Sequence, residues 1–247
     1  MKKNWPTLKK PPILLAVAEL RFKLHEKFDV LDLKRNDMDL LKKYPTRVDN
    51  FTGNINMPGP TAGLSTATID SRQVGYIYTN ADNSRKVIIS LENIAYIQEG
   101  KYTDWASFKN EWSEIISHFS FILKGLNIER VSIRFINQFV VTEMTSPLDY
   151  FNTSISAKDG VIKYPVDLYF YRYILRIPET MIRVIVANTL QEITNTNFTF
   201  IFDIDVLNDG HFKFDVKLLS DLMEDLREVK NETFFNNITE KTLSLIS

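Results

Sequence analysis

The sequence predicts an α+β protein: a mainly antiparallel sheet with helices on one face. Three observations carry that expectation. Segments such as VSIRFINQFVV (131–141) and FTFIFDIDV (198–206) alternate apolar and polar residues, as a strand with one buried face does. Others, foremost DWASFKNEWSEIISHFSFILKGL (104–126), space apolar residues by three and four, as an amphipathic helix does. Finally, strand-like runs follow one another as meanders divided by turn signals, which gives antiparallel neighbours.

Each element has its own warrant. After Pro11 and Pro12, ILLAVAELRFKL puts Leu14, Ala16, Ala18, Leu20 and Phe22 on one face and Val17, Glu19, Arg21 and Lys23 on the other. Asp29 or Asp32 can cap a helix that uses Leu33, Leu40, Leu41 and Tyr44 before Pro45 stops it. From Val48 to Gln98 the texture is that of strands, clearest at VGYIYT and KVIISL, with turns at MPGP, NADN and EN. The central helix starts at its N-cap Asp104, buries Trp105, Phe108, Trp112, Ile115, Phe119, Ile122 and Leu126, and meets Gly125 near its end. The strand at 131–141 comes next, then SPLDYF as a short helix with Ser146 as cap and Pro147 first. A meander over YPVDLYFYRYILRI, TMIRVIVANTL and NFTFIFDIDVL follows. A helix of about 15 residues from Val216 uses Leu219, Leu222, Leu226 and Val229. A second helical piece runs through Phe234, Phe235 and Ile238.

Element order repeats. Residues 1–127 read strand, helix, strands, long helix, and residues 128–247 read the same again. The expectation is one compact unit of two β-α-β-meander-α halves, an internal duplication in order though hardly in residue identity. The joint sheet is either an open saddle or a closed, ligand-holding grip.

Composition narrows the function. The 247 residues carry 30 basic and 31 acidic side chains, a formal charge of −1, which is no footprint for duplex nucleic acid or an anionic membrane. With no cysteine there are no disulfides, thiolate metal sites or cysteine nucleophiles. The basic start leads into an apolar run, Ile13 to Ala18, that Glu19 ends too early for a signal peptide. No stretch approaches the 18 or so apolar residues of a membrane span. The expected location is cytoplasmic.

Several segments taken together resemble a known family. PPILLAVAELRF, KYP at the end of the first helix, YTDWASFKNEW, IERVSIRFINQFVV, FIFDIDVL and FFNNIT resemble a sporadically distributed family of uncharacterised bacterial proteins. The family's pattern has a proline pair, then a glutamate and an arginine on the first strand. A Tyr and a Trp open its central helix, and an Arg-x-x-Asn strand and an aspartate-rich strand follow. The chain departs from it at Phe135, where the family has a tyrosine. The resemblance covers most of the chain and implies no activity; the family's scattered distribution implies mobile or defence-associated genes.

Period two also places the charges. Glu19, Arg21, Arg134, Gln138, Asp203 and Asp205 all fall on the helix-free side of the sheet. Three carboxylates and arginine's planar fork there could grip a polar ligand, or could be cross-strand pairs contributing about 0.2–1 kcal/mol each. Arg172 and Arg176 share a face, which alternation leaves unassigned, as it does that of Arg183. Asn137 falls among Ile133, Phe135 and Phe139, so it needs a hydrogen bond or a bulge that turns it out.

Enzyme templates find little. His25, His118 and His211 lack ligand spacing, and there is no GxGxxG, Walker loop or G-x-S-x-G elbow. Asp203-Ile204-Asp205 has the DxD form of nucleotide-sugar transferases and metal-dependent nucleases, a tripeptide common by chance. The favoured reading is a non-enzymatic binding or protein-interaction module with no cofactor or metal. Its partner is a protein, such as a neighbouring gene's product, or a small polar ligand. The alternative is a metal-dependent phosphoryl-transfer or nucleolytic enzyme using Asp203, Asp205 and Glu19.

Overall fold

Alternation with period two becomes one antiparallel sheet. The computed structural model describes residues 5–24, 28–56, 68–144, 146–153, 168–193 and 197–247. Its strands are β1 (Ile13–Phe22), β2 (Thr46–Asn56), β3 (Thr68–Thr79), β4 (Arg85–Ser90) and β5 (Asn93–Glu99). In the second half of the chain they are β6 (Asn127–Val141), β7 (Tyr169–Arg176), β8 (Ile182–Ile193), β9 (Phe198–Asn208) and β10 (Phe212–Lys213). Nine lie in the order β2-β3-β4-β5-β1-β6-β9-β8-β7, and the short β10 pairs with the start of β6. The sheet is open and not a barrel, with β2 and β7 at its ends. Of the two architectures expected, the open form holds. The first strand of each chain half, β1 and β6, meet at the centre, and the last strand of each meander, β5 and β9, flanks them.

The helices are α1 (Met38–Lys43), α2 (Trp105–His118), α3 (Ser120–Leu123), α4 (Val216–Asn237) and α5 (Glu240–Ile246). Ala16, Ala18 and Leu20 of β1, Ile133 and Phe135 of β6 and Phe202 and Ile204 of β9 form one buried cluster with Phe108 and Trp112 of α2 and Met223 and Leu226 of α4. Burying each large side chain contributes about 1.5–3 kcal/mol, so this layer dominates the stability. Among the described residues no helix is long and apolar enough to cross a membrane.

Four helical regions differ from the sequence reading. The first is split into a 3₁₀ turn (Val30–Lys34), capped by Asp29 and Asp32, and α1. Between them Asn36 takes a left-handed backbone, φ 64°, which asparagine tolerates. The central helix ends at His118, and α3 follows only after Phe119 leaves helical geometry. At the C-terminal end the reverse happens: the expected pair of helices is the single α4 of 22 residues, since no Gly or Pro interrupts 216–237. The segment after it adds α5, capped by Thr239. SPLDYF is only a 3₁₀ turn at Pro147–Asp149. The expected MPGP turn and the first residues of YPVDLYFYRYILRI lie outside the described residues.

Trp112 is 2% exposed at the centre of the layer under the sheet. Trp112→Ala is expected to lower stability by about 3–5 kcal/mol in urea unfolding. A loss below about 1 kcal/mol would mean that this helix face is not core.

Candidate functional site

The helix-free face is built row by row from cross-strand neighbours. One row runs Ile174, Ile185, Asp205, Arg134, Val17 and Ile97. The row beside it runs Arg172, Ala187, Asp203, Ile136, Leu15 and Glu99. On the other side run Arg176, Arg183, Leu207, Ser132, Glu19 and Ala95. The six residues singled out by alternation thus share one face, and Arg172, Arg176 and Arg183 join them there.

Sharing a face is not sharing a bond. Arg134 lies opposite Asp205 in register yet grips the diagonal neighbour Asp203. Its Nε donates to both carboxylate oxygens at 2.9 and 3.1 Å, and its Nη2 donates to Oδ2 at 2.6 Å. Such forked, charge-assisted bonds are the strong ones of their kind. Two rows along, Arg21 Nε donates to Glu19 Oε1 at 3.1 Å, and the Asn93 amide donates to the same oxygen at 2.8 Å. Gln138 is exposed opposite Ile201 and joins no side-chain bond among the described residues. A further network was not foreseen: Asp209 accepts from Arg130 Nε at 2.6 Å and from Arg183. Asp209 lies just beyond the end of β9, where alternation says nothing about direction.

Asp205 is the exception at the centre. Its Oδ1 is shielded from water and has no hydrogen-bond partner among the described residues. Burial pushes the carboxyl up from 3.8 to about 6; Arg134 and Arg130 oppose this, and Asp203 and Glu19 add to it. A buried acceptor left unpaired costs about 1–3 kcal/mol, more when charged. At neutral pH the group is largely an anion in need of a donor.

Asn137 resolves differently. It stays on the core side, 2% exposed, and its amide nitrogen donates to Phe202 O at 3.0 Å and to Phe135 O at 3.3 Å. The amide is bonded to backbone, as one of the two expected outcomes required. His118 is half-buried near the end of α2, edge-on to Phe119. Among the described residues no three His, Cys, Asp or Glu side chains gather closely enough to hold a metal ion. Glu19, Asp203 and Asp205 are spread along the face, and Arg134 already occupies Asp203.

Comparison with family models, with curated proteins and with solved structures finds no match for this chain. The site is defined by its own geometry.

The unpaired carboxylate has a signed consequence. A carboxyl raised in the folded chain gives stability that is full below about 3.8 and is lost as pH rises through about 6. Asp205→Asn, which carries no charge, is expected to be at least as stable as the parent at pH 7, with the gap closing as pH falls towards 4. Urea unfolding at several pH values checks this, because the lowered carboxyls Asp104, Asp209 and Glu224 cancel between the two proteins. A variant clearly less stable at pH 7 would mean that Asp205 has a strong partner.

Proposed function

We propose that the chain is a non-enzymatic protein-interaction module whose helix-free sheet face, centred on Arg134, Asp203 and Asp205, receives a partner protein. The observation that carries this reading is the carboxylate of Asp205, unpaired at Oδ1 among the described residues, in the middle of a face against which no described helix packs. A lysine or arginine from a partner, set beside this carboxylate, would offset its charge. Surrounding it, Leu15, Val17, Ile136, Ile185 and Ile201 are half-buried and Leu207 is fully so, which supplies apolar area beside the charge. An apolar patch with a charged centre is the composition of a binding surface. The mobile or defence-associated setting that the family resemblance suggests makes the product of an adjacent gene the first partner to test.

The metal-dependent alternative has less behind it. Its three carboxylates do not converge, and Asp203 and Glu19 are each engaged by an arginine. Millimolar Mn²⁺ is expected to leave the melting temperature unchanged. An ion at a hundred times its dissociation constant would add about 2.7 kcal/mol. A rise of several degrees, lost in the Asp203→Asn, Asp205→Asn double variant, would favour the enzyme.

Co-expression with the adjacent gene's product tests the interaction directly. The expected result is a complex that survives gel filtration and is lost when Asp205→Lys and Ile136→Glu are introduced, with circular dichroism unchanged. A complex that tolerates both substitutions would move the interface elsewhere. No complex at all would remove this partner.

A further inference from the structure

On the helix side of the sheet a cleft of about 230 Å³ opens where the N-terminal segment, the start of α2 and the C-terminal half of α4 meet over β6. It is lined by Tyr102, Trp105, Asn137, Arg227, Lys230 and Asn231, among others. Arg227, Lys230 and Asn231 stand at i, i+3 and i+4 on α4, so the helix presents all three on one face.

Lys230 is the unusual group. Its Nζ sits 4.5 Å from the centroid of the Phe135 ring, a cation–π contact, and among the described residues it makes no hydrogen bond or ion pair. Nearby acids are committed elsewhere. Glu224 accepts from Trp105 Nε1 at 2.9 Å and from Lys109 Nζ at 2.7 Å. Glu228 accepts from Trp5 Nε1 at 3.0 Å. Asp104 accepts from the backbone and hydroxyl of Ser107, both at 2.8 Å. Arg227 brings a second cation, 5.5 Å over the Trp105 ring and only 3.5 Å from Glu224 at its nearest. Burial, with Arg227 adding to it, pushes the Lys230 ammonium down to about 7.

Further donors surround this cation. Asn231 is 7% exposed and makes no side-chain hydrogen bond among the described residues. Burial holds the Tyr102 phenol well above its usual range, so it keeps its proton at neutral pH. The walls are aromatic: Tyr102 meets Phe135 edge-on at 5.6 Å, and Trp5 stacks on Phe235 at 5.3 Å.

We infer that this cleft binds a small anion, a carboxylate or a phosphate carried on one flat apolar ring, with Lys230 as its main partner and Arg227 and Asn231 beside it. An anion would supply the acceptor that Lys230 lacks, and aromatic walls favour a planar body. The volume is below the roughly 300–1,000 Å³ of drug-sized sites, which fits a single ring. This site lies across the sheet from the proposed protein interface, and either could fail without the other.

The test uses the full-length chain with benzoate, phenyl phosphate and neutral benzamide in isothermal titration calorimetry. At least one anion is expected to bind with one-to-one stoichiometry and at least about tenfold tighter than benzamide, a difference of about 1.4 kcal/mol. Tighter benzoate identifies a carboxylate site and tighter phenyl phosphate a phosphate site. Lys230→Met is expected to weaken the anion at least about tenfold, with Lys230→Arg retaining most of the affinity. Neither anion exceeding benzamide, or Lys230→Met binding like the parent, would overturn the inference. Should Lys230→Met not fold, the parent chain with ¹³C-methylated lysines gives the same answer. The Lys230 resonance must move when the tighter anion is added, and a resonance that stays in place overturns the inference as well.

Discussion

Strands β1 and β6 pair antiparallel from Leu15 opposite Ile136 to Arg21 opposite Arg130, and this seam joins the two ends of the sheet. Each strand is hydrogen-bonded on both edges, β1 also to β5 and β6 also to β9, so the two halves of the sheet are continuous with each other only through this seam. The seam also sets what each face receives. Because successive side chains alternate, β6 sends Phe135 and Asn137 towards the helices and Arg134 and Ile136 to the open face. Small Ala16 and Ala18 stand opposite bulky Phe135 and Ile133, leaving space for Tyr102 and Phe108 to reach the Phe135 ring. One strand therefore floors the cleft and carries the arginine of the opposite surface.

The two faces play different energetic roles. Under the helices, buried aromatic and aliphatic side chains give the fold its stability, at about 1.5–3 kcal/mol each. On the open face, Arg134 is 47% exposed beside Asp203 at 19%, and exposed pairs of this kind contribute about 0–1 kcal/mol. Asp205 works against folding at neutral pH, as a partly buried anion without a donor. Under the proposed interaction, a surface that adds so little to stability and leaves one acceptor unpaired is explained by a partner that docks there. Lys230 mirrors this on the helix side, with no carboxylate partner among the described residues.

How much of this was legible depends on the range of the interaction that decides it. The shared face of Glu19, Arg21, Arg134, Gln138, Asp203 and Asp205 followed from period two alone, a local property of extended backbone. Register did not, so the choice of Asp203 over Asp205 by Arg134 could not be read from either strand. Whether the sheet closed was equally hidden, since it depends on whether β2 and β7 meet. Asn36 and Phe119 break helices through backbone geometry that apolar spacing does not report. Lys230 follows Val229 with nothing in the spacing to mark it, and it becomes half-buried only when α4 packs against α2 and the N-terminal segment. The signal that could have found it was its i+3 relation to Arg227 next to the apolar stripe of α4.

Native-state hydrogen exchange at single residues tests the central role of the seam most directly. Amides of Ala16 and Ala18 in β1 and of Ile133 and Phe135 in β6 are expected to exchange only through global unfolding, with one common free energy. Those in the edge strands β2 and β7 should open earlier. Amides of β1 opening several kcal/mol below those of β6 would show that the halves separate in the native state, and would contradict a single sheet built on this pairing.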